Sequence, residues 1–128
     1  MVLLDTCALL WWTLDPDHLS HKARKICNKI DDEGAFISSI TIWEIGMKLK
    51  KGIIDIGEDL SAYVHRIKQL NSIEIIAIDE TIWIKNLQLE WSHRDPADRT
   101  IVATAMLNEL PIVTKDSIIS GFYSKVIW

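Results

Sequence analysis

The sequence predicts an α/β fold, a three-layer α/β/α sandwich around a central parallel sheet of four to five strands, and three observations predict it. Short apolar runs alternate with helix-compatible stretches along all 128 residues, the pattern of a parallel sheet covered on both faces. The composition, 48% hydrophobic and 25% charged, is that of an ordinary globular chain. No repeat, low-complexity tract or linker divides it, so residues 1–128 are expected to form a single domain that needs no disulfide or metal to fold.

Val2 to Leu4 is a strand ending at Asp5, and Thr6 to about Leu14 is a helix stopped by Asp15-Pro16-Asp17. Leu19, Ala23, Ile26, Cys27 and Ile30 recur at three and four residues, with Lys22, Lys25 and Lys29 on other faces, which predicts one amphipathic helix ending before Gly34. Ala35 to Ser38 is the second strand. The next helix is capped by Ser39 or Thr41, carries Ile42, Ile45, Met47 and Leu49, and stops at Lys50-Lys51-Gly52. After a loop over Ile53 to Gly57, the stripe Leu60, Tyr63, Val64, Ile67 and Leu70 marks a helix beginning near Glu58. Ile73 to Ile78 is the third strand, and Asp79 or Thr81 caps a short helix through about Leu89. Trp91 to Arg94 is a polar connection. Asp95 as N-cap and Pro96 at the first helical position open a helix through Ile101, Val102, Ala105 and Met106. Pro111 to Thr114 is a fourth strand, Asp116 to Ser120 a turn of helix, and Val126 to Trp128 a fifth strand.

Fourteen Lys+Arg against 18 Asp+Glu give a net charge of −4, the wrong sign for holding nucleic acid by bulk electrostatics. The apolar start is interrupted by Asp5 and lacks a basic leader, and no stretch approaches the length of a membrane span, so the expectation is a soluble cytoplasmic protein. Cys7 and Cys27 have neither CxxC spacing nor the density of a disulfide framework and read as reduced core residues. Trp11, Trp12 and Trp43 are either core and interface fillers or a floor on which bases stack.

An open α/β sheet binds ligands outside the carboxyl ends of its strands, where the strand order reverses. Asp5 follows the first strand, Glu44 lies early in the helix after the second, Asp98 in the first turn of the helix leading to the fourth, and Asp116 just after the fourth. If the first and fourth strands are neighbours, these four acids converge. Singly, each has a structural explanation: Thr41 to Glu44 matches a capping box, Asp98 complements a helix dipole, and Asp116 is an N-cap. Asp5 is harder to dismiss, because a carboxylate ending a run of core residues must be hydrated, hydrogen-bonded or metal-bound. As a set they repel by about 4 kcal/mol per pair at roughly 4 Å and an effective dielectric of about 20, and divalent cations resolve that repulsion. Oxygen-only ligands favour Mg2+ or Mn2+, one or two ions, and such a centre accepts a phosphodiester even on an acidic protein. Asp95 reads as an N-cap and Asp79 as the cap of an edge element. His18, His21, His65 and His93 show no paired ligand spacing and read as surface or loop residues. Lys48, Lys50, Lys51, Arg94 and Arg99 are placed to flank the crevice, as RNA phosphate contacts or as solvated surface.

The segments Leu3-Leu4-Asp5-Thr6 with Ala8-Leu9-Leu10-Trp11-Trp12, Ser38 to Trp43-Glu44-Ile45, His93-Arg94-Asp95-Pro96-Ala97-Asp98-Arg99 and Ile112-Val113-Thr114-Lys115-Asp116 together resemble the PIN-domain ribonucleases, and within them the VapC-like toxins of toxin-antitoxin pairs. They occur in that family's order and cover nearly the whole chain. The resemblance implies a sheet of order 3-2-1-4-5, a Mg2+- or Mn2+-dependent endoribonuclease, a homodimer, and inhibition by a small antitoxin whose C-terminal segment occupies the groove. It carries the acidic set onto Asp5, Glu44, Asp98 and Asp116, with Thr6 and Thr114 as polar neighbours of the metal; for Asp95, read from its place before Pro96 as an N-cap, outer support of the metal is the functional alternative. Asp98 is preferred to Asp95 because Ile101, Ala103 and Ala105 follow it in the family's spacing; Ala97 stands where the family carries a bulky aromatic.

In the mechanism this implies, Asp5 and Asp98 bind the main ion, Glu44 positions or deprotonates the attacking water, and Asp116 completes the shell or a second site. A phosphatase of the haloacid dehalogenase type needs an acid two residues after the first Asp, and position 7 is Cys. A receiver domain needs an acidic pair near the first strand's end, where Asp5 stands alone. The alternative that remains is a catalytically silent PIN-fold module that binds RNA or a protein partner.

Overall fold

The structure, a computed structural model, describes residues 1–128. Five parallel strands, β1 (Val2–Leu4), β2 (Ala35–Ser38), β3 (Ile73–Ile76), β4 (Ile112–Val113) and β5 (Val126–Ile127), form one sheet in the order β3-β2-β1-β4-β5. This is the predicted α/β architecture in the predicted order.

Alternation along the strands creates the layers. Leu4, Ala35, Ile37 and Val113 point to one face, where they pack with Leu9 of α1 (Thr6–Leu14), Ala23 and Cys27 of α2 (His21–Cys27), Ile30 of α3 (Ile30–Glu33) and Tyr63 and Ile67 of α5 (Leu60–Gln69). Leu3 and Ile112 point to the other, against Ile82 of α6 (Glu80–Gln88), Ile101, Val102 and Ala105 of α7 (Pro96–Asn108) and Ile119 of α8 (Ser117–Ser120). The helix α4 (Ser39–Lys50) lends Ile45 to the first core and Ile40 to the second. No helix is long and apolar enough to cross a membrane.

Three expectations need correction. The stripe from Leu19 to Ile30 is not one helix: α2 ends at Cys27, a turn at Asn28 and Lys29 intervenes, and α3 restarts at Ile30. Cys27 and Ile30 still face the same core, so the apolar spacing survives the break. Helix α4 begins earlier than its predicted caps, because Ser38 is the N-cap and its hydroxyl accepts from the Ile40 amide at 3.2 Å. Thr41 and Glu44 therefore form no capping box. Helix α5 starts at Leu60, where Asp59 accepts from the Ala62 amide at 2.8 Å. Asp79 and Asp95 cap α6 and α7 as expected.

Candidate active site

Strand order reverses between β1 and β4, and the segments leaving both strands open onto one cleft of about 190 Å3. Its lining holds Asp5, Glu44, Asp95, Asp98 and Asp116, with Lys48 and Lys115 as its cations and Thr6, Cys7 and Trp11 between them. All four predicted acids thus reach one place from four elements. A larger apolar groove of about 860 Å3 runs along α4 and α5 past Trp43, Met47 and Leu60, but it lacks such a carboxylate set.

Asp5 ends β1 and begins α1. Its Oδ1 accepts from the Ala8 amide at 2.8 Å, and its Oδ2 accepts from the Thr114 hydroxyl at the end of β4. Only 7% exposed, the carboxyl is pushed up to about 6 by burial, against those hydrogen bonds and with help from the charges of Asp98 and Glu44. Thr114 also accepts from the Asp116 amide at 3.0 Å, so one hydroxyl ties two acids to the same strand end. Asp116 caps α8 through Oδ1, on the Ile118 amide at 2.8 Å. Thr41, freed from any capping role, stands 3.3 Å from the Thr6 hydroxyl, which donates to Glu44 Oε1.

Asp98 lies in the first turn of α7, where Asp95 Oδ1 accepts its amide at 2.8 Å. Burial raises its pKa, opposed by a hydrogen bond from His93 and reinforced by Asp95, Asp116 and Glu44. His93 Nε2 lies 2.7 Å from Asp98 Oδ2. This half-buried imidazole is therefore no bystander, and one ligand atom each of His93, Asp95 and Asp98 lie within 4.8 Å of one another. The only available signal was position: the ring hangs from the loop just ahead of the helix that carries Asp98.

Three further expectations change, for Arg99, Arg94 and Cys7. Arg99 does not reach for solvent phosphate: all five of its N–H donors are engaged by Asn86, Leu89, Trp91 and His93. Arg94 lines a separate hollow with Trp91 and Pro96 rather than the cleft. Lys48 does line the cleft, and Lys115, whose ammonium stands 5.9 Å from the Trp11 ring, joins it without having been singled out. Both cysteines are free, yet Cys7 faces the cleft instead of the core. Burial and the Asp5 charge push its thiol up, so it remains protonated at neutral pH. Of the tryptophans, Trp11 borders the cleft, stacked on His18 at 5.6 Å, Trp12 packs on the core, and Trp43 is exposed.

The donor set fits a hard divalent cation. Glu44 Oε2, Asp98 Oδ1 and Asp116 Oδ2 have no protein hydrogen-bond partner, while the opposite oxygens of the same groups are fixed. Five carboxylates face two ammonium groups, leaving an excess of negative charge that such an ion would offset.

The family model described as PIN domain matches residues 2–124. Ribonuclease VapC22 of Mycobacterium tuberculosis is 26% identical over 116 residues, covering 90% of this chain and 86% of that protein. Among solved structures, a toxin-antitoxin complex from Klebsiella pneumoniae superposes with a TM-score of 0.67 at 22% identity, over 100% of this chain and 97% of that one. VapC20 of Mycobacterium tuberculosis, a sarcin-ricin loop cleaving toxin, superposes with a TM-score of 0.68 at 12% identity over 94% of each chain.

Proposed function

Since the chain belongs to the PIN domain family, we propose that it is a Mg2+-dependent endoribonuclease, the toxin of a toxin-antitoxin pair. The observation that carries this reading is the convergence of Asp5, Glu44, Asp98 and Asp116 on one cleft beside Lys48 and Lys115. Ribonuclease VapC22 as a relative, and a toxin-antitoxin complex and a sarcin-ricin loop cleaving toxin as structural neighbours, support the choice of RNA and of an antitoxin partner.

In this reading Asp5, Asp98, Glu44 and Asp116 would hold one or two Mg2+ ions, with Mn2+ able to substitute. The bound ion supplies neutralisation of the phosphate oxygens and activation of the attacking water. Thr114 and Ala8 hold the Asp5 carboxylate in place, and Thr6 orients Glu44 so that its second oxygen faces the cleft. Glu44 takes the proton of the attacking water as the new P–O bond forms. The P–O ester bond opposite breaks, and the departing oxygen receives a proton from solvent. Lys48 and Lys115 meet the phosphodiester charge that an otherwise acidic surface repels. Asp95 supports Asp98 through its amide rather than by direct contact with substrate.

The same reading makes the whole of residues 1–128 one cytoplasmic domain working as a homodimer. Trp83, Ile84 and Leu87 are exposed together on α6, the contiguous apolar surface that association would cover. The test is cleavage of total RNA by purified protein with Mg2+, with EDTA, and with Asp5→Asn. Cleavage that needs both the ion and Asp5 is the expected result. Identical behaviour of wild type and variant, with no ion-dependent product, would overturn the nuclease and leave a binding module.

A further inference from the structure

Arg99 follows Asp98 in the first turns of α7, yet it does not line the acidic cleft. Its guanidinium turns the other way, onto the segment that joins α6 to α7. Nη1 donates to the carbonyls of Trp91 at 2.6 Å and His93 at 3.0 Å, and Nη2 to those of Asn86 at 2.6 Å and Leu89 at 3.2 Å. Nε donates to the Asn86 side-chain oxygen at 3.4 Å. From Leu89 to Asp95 the chain is neither helix nor strand; the Asn86 and Leu89 carbonyls also accept from the Leu89 amide at 3.4 Å and the Trp91 amide at 2.9 Å, whereas those of Trp91 and His93 have no backbone donor and rely on Arg99. Ordering such a stretch costs conformational entropy, which local propensity here does nothing to offset.

The clasp is anchored at both ends. Asn86 is buried and donates to the Thr100 hydroxyl at 3.0 Å, which itself donates to the Pro96 carbonyl at 2.6 Å. Trp91 stacks on Phe122, with ring centroids 4.6 Å apart, and the His93 ring lies 4.9 Å from that of Trp91. At the open end His93 reaches back across the helix start to Asp98 Oδ2. The chain of contacts thus begins at Arg99 and returns to its own neighbour, Asp98, through a loop.

We propose that Arg99 is a positioning residue of the metal site: by clasping the carbonyls of residues 86–93 it holds His93 against Asp98 and so fixes one carboxylate of the cleft. This rests on the reading of the cleft as a cation site. A lysine keeps the charge but has three donors on a tetrahedral centre, and it cannot bridge four carbonyls spread over eight residues. Ligands whose outer partners are removed characteristically lose about 10–100-fold in metal affinity.

The experiment is calorimetric titration of Mn2+ into metal-free protein for wild type, Arg99→Lys, His93→Ala and the double variant, with circular dichroism and melting curves on each. Each folded single variant is expected to bind Mn2+ at least about tenfold more weakly than wild type. The double variant is expected to bind no more weakly than the weaker single, because both act through one link. A folded Arg99→Lys that melts earlier but keeps wild-type Mn2+ affinity would show a purely structural role and overturn the proposal. So would multiplicative losses in the double variant. If Arg99→Lys does not fold, His93→Ala decides alone, and wild-type affinity there overturns the proposal. If wild-type protein itself binds no Mn2+, the cation reading of the cleft fails first and takes the proposal with it.

Discussion

Asp5 combines two roles that oppose each other. It is a helix cap, which stabilises, and a nearly buried carboxylate among other acids, which destabilises once ionised. Because its folded pKa is raised to about 6 from 3.8, the native state binds the proton more tightly than the unfolded state does. Stability from this group is therefore full below about pH 4 and is lost as pH rises through 6, by about 3 kcal/mol. Asp5→Asn is expected to raise the melting temperature of the metal-free protein at pH 7.5 by roughly 5–10 °C, with the gain vanishing near pH 4. Paired melting curves across that range check it, and a variant no more stable than wild type at pH 7.5 would contradict it. Asp5 was legible because an acid at a strand end has few ways to be satisfied, and Glu44, Asp98 and Asp116, each with a cap or dipole explanation of its own, were legible only as a set. His93 and Arg99 were not: their partners lie on an irregular loop, where no periodicity says which atoms meet.

Caps and turns decide where each element places its side chains. Ser38 is wholly buried, and its hydroxyl starts α4 one turn ahead of the position that a Thr41 cap implies. Glu44 consequently lies in the second turn, where its carboxylate is free of the helix end and meets Thr6. Ser38→Ala is expected to cost about 1 kcal/mol, read by denaturant unfolding, and to lower any cleavage activity by disturbing Glu44. Gly34 joins α3 to β2 at φ 76°, and a Cβ there would lie 2.9 Å from Met1 Sδ. Gly34→Ala is expected to destabilise by about 1–3 kcal/mol by the same assay, through backbone strain. The break at Asn28 and Lys29 escaped sequence reasoning for a physical reason: an apolar stripe reports which residues face the core, and both short helices keep theirs there.

For the whole molecule, alternating strands and helices sufficed to predict a parallel three-layer sheet, but alternation alone leaves strand order open. The order 3-2-1-4-5 came from likeness to a family, and it matters because it sets β1 beside β4. That adjacency brings Asp5 and Thr114 into contact although 109 residues separate them. On the proposed reading it also answers how an acidic chain would hold a polyanion, since a divalent ion would offset the excess negative charge of the cleft acids beside Lys48 and Lys115. Removal of divalent ions is accordingly expected to abolish RNA cleavage while leaving the circular dichroism spectrum unchanged, because the two cores contain no cleft acid.

The most direct test of the central claim, that the acidic cleft hydrolyses RNA with water as nucleophile, is a single-turnover cleavage in 18O-labelled water with mass analysis of the new termini. A linear monophosphate carrying one 18O, formed by wild type and not by Asp5→Asn, is the predicted result. A 2′,3′-cyclic phosphate without label would show attack by the RNA's own hydroxyl and would contradict the account.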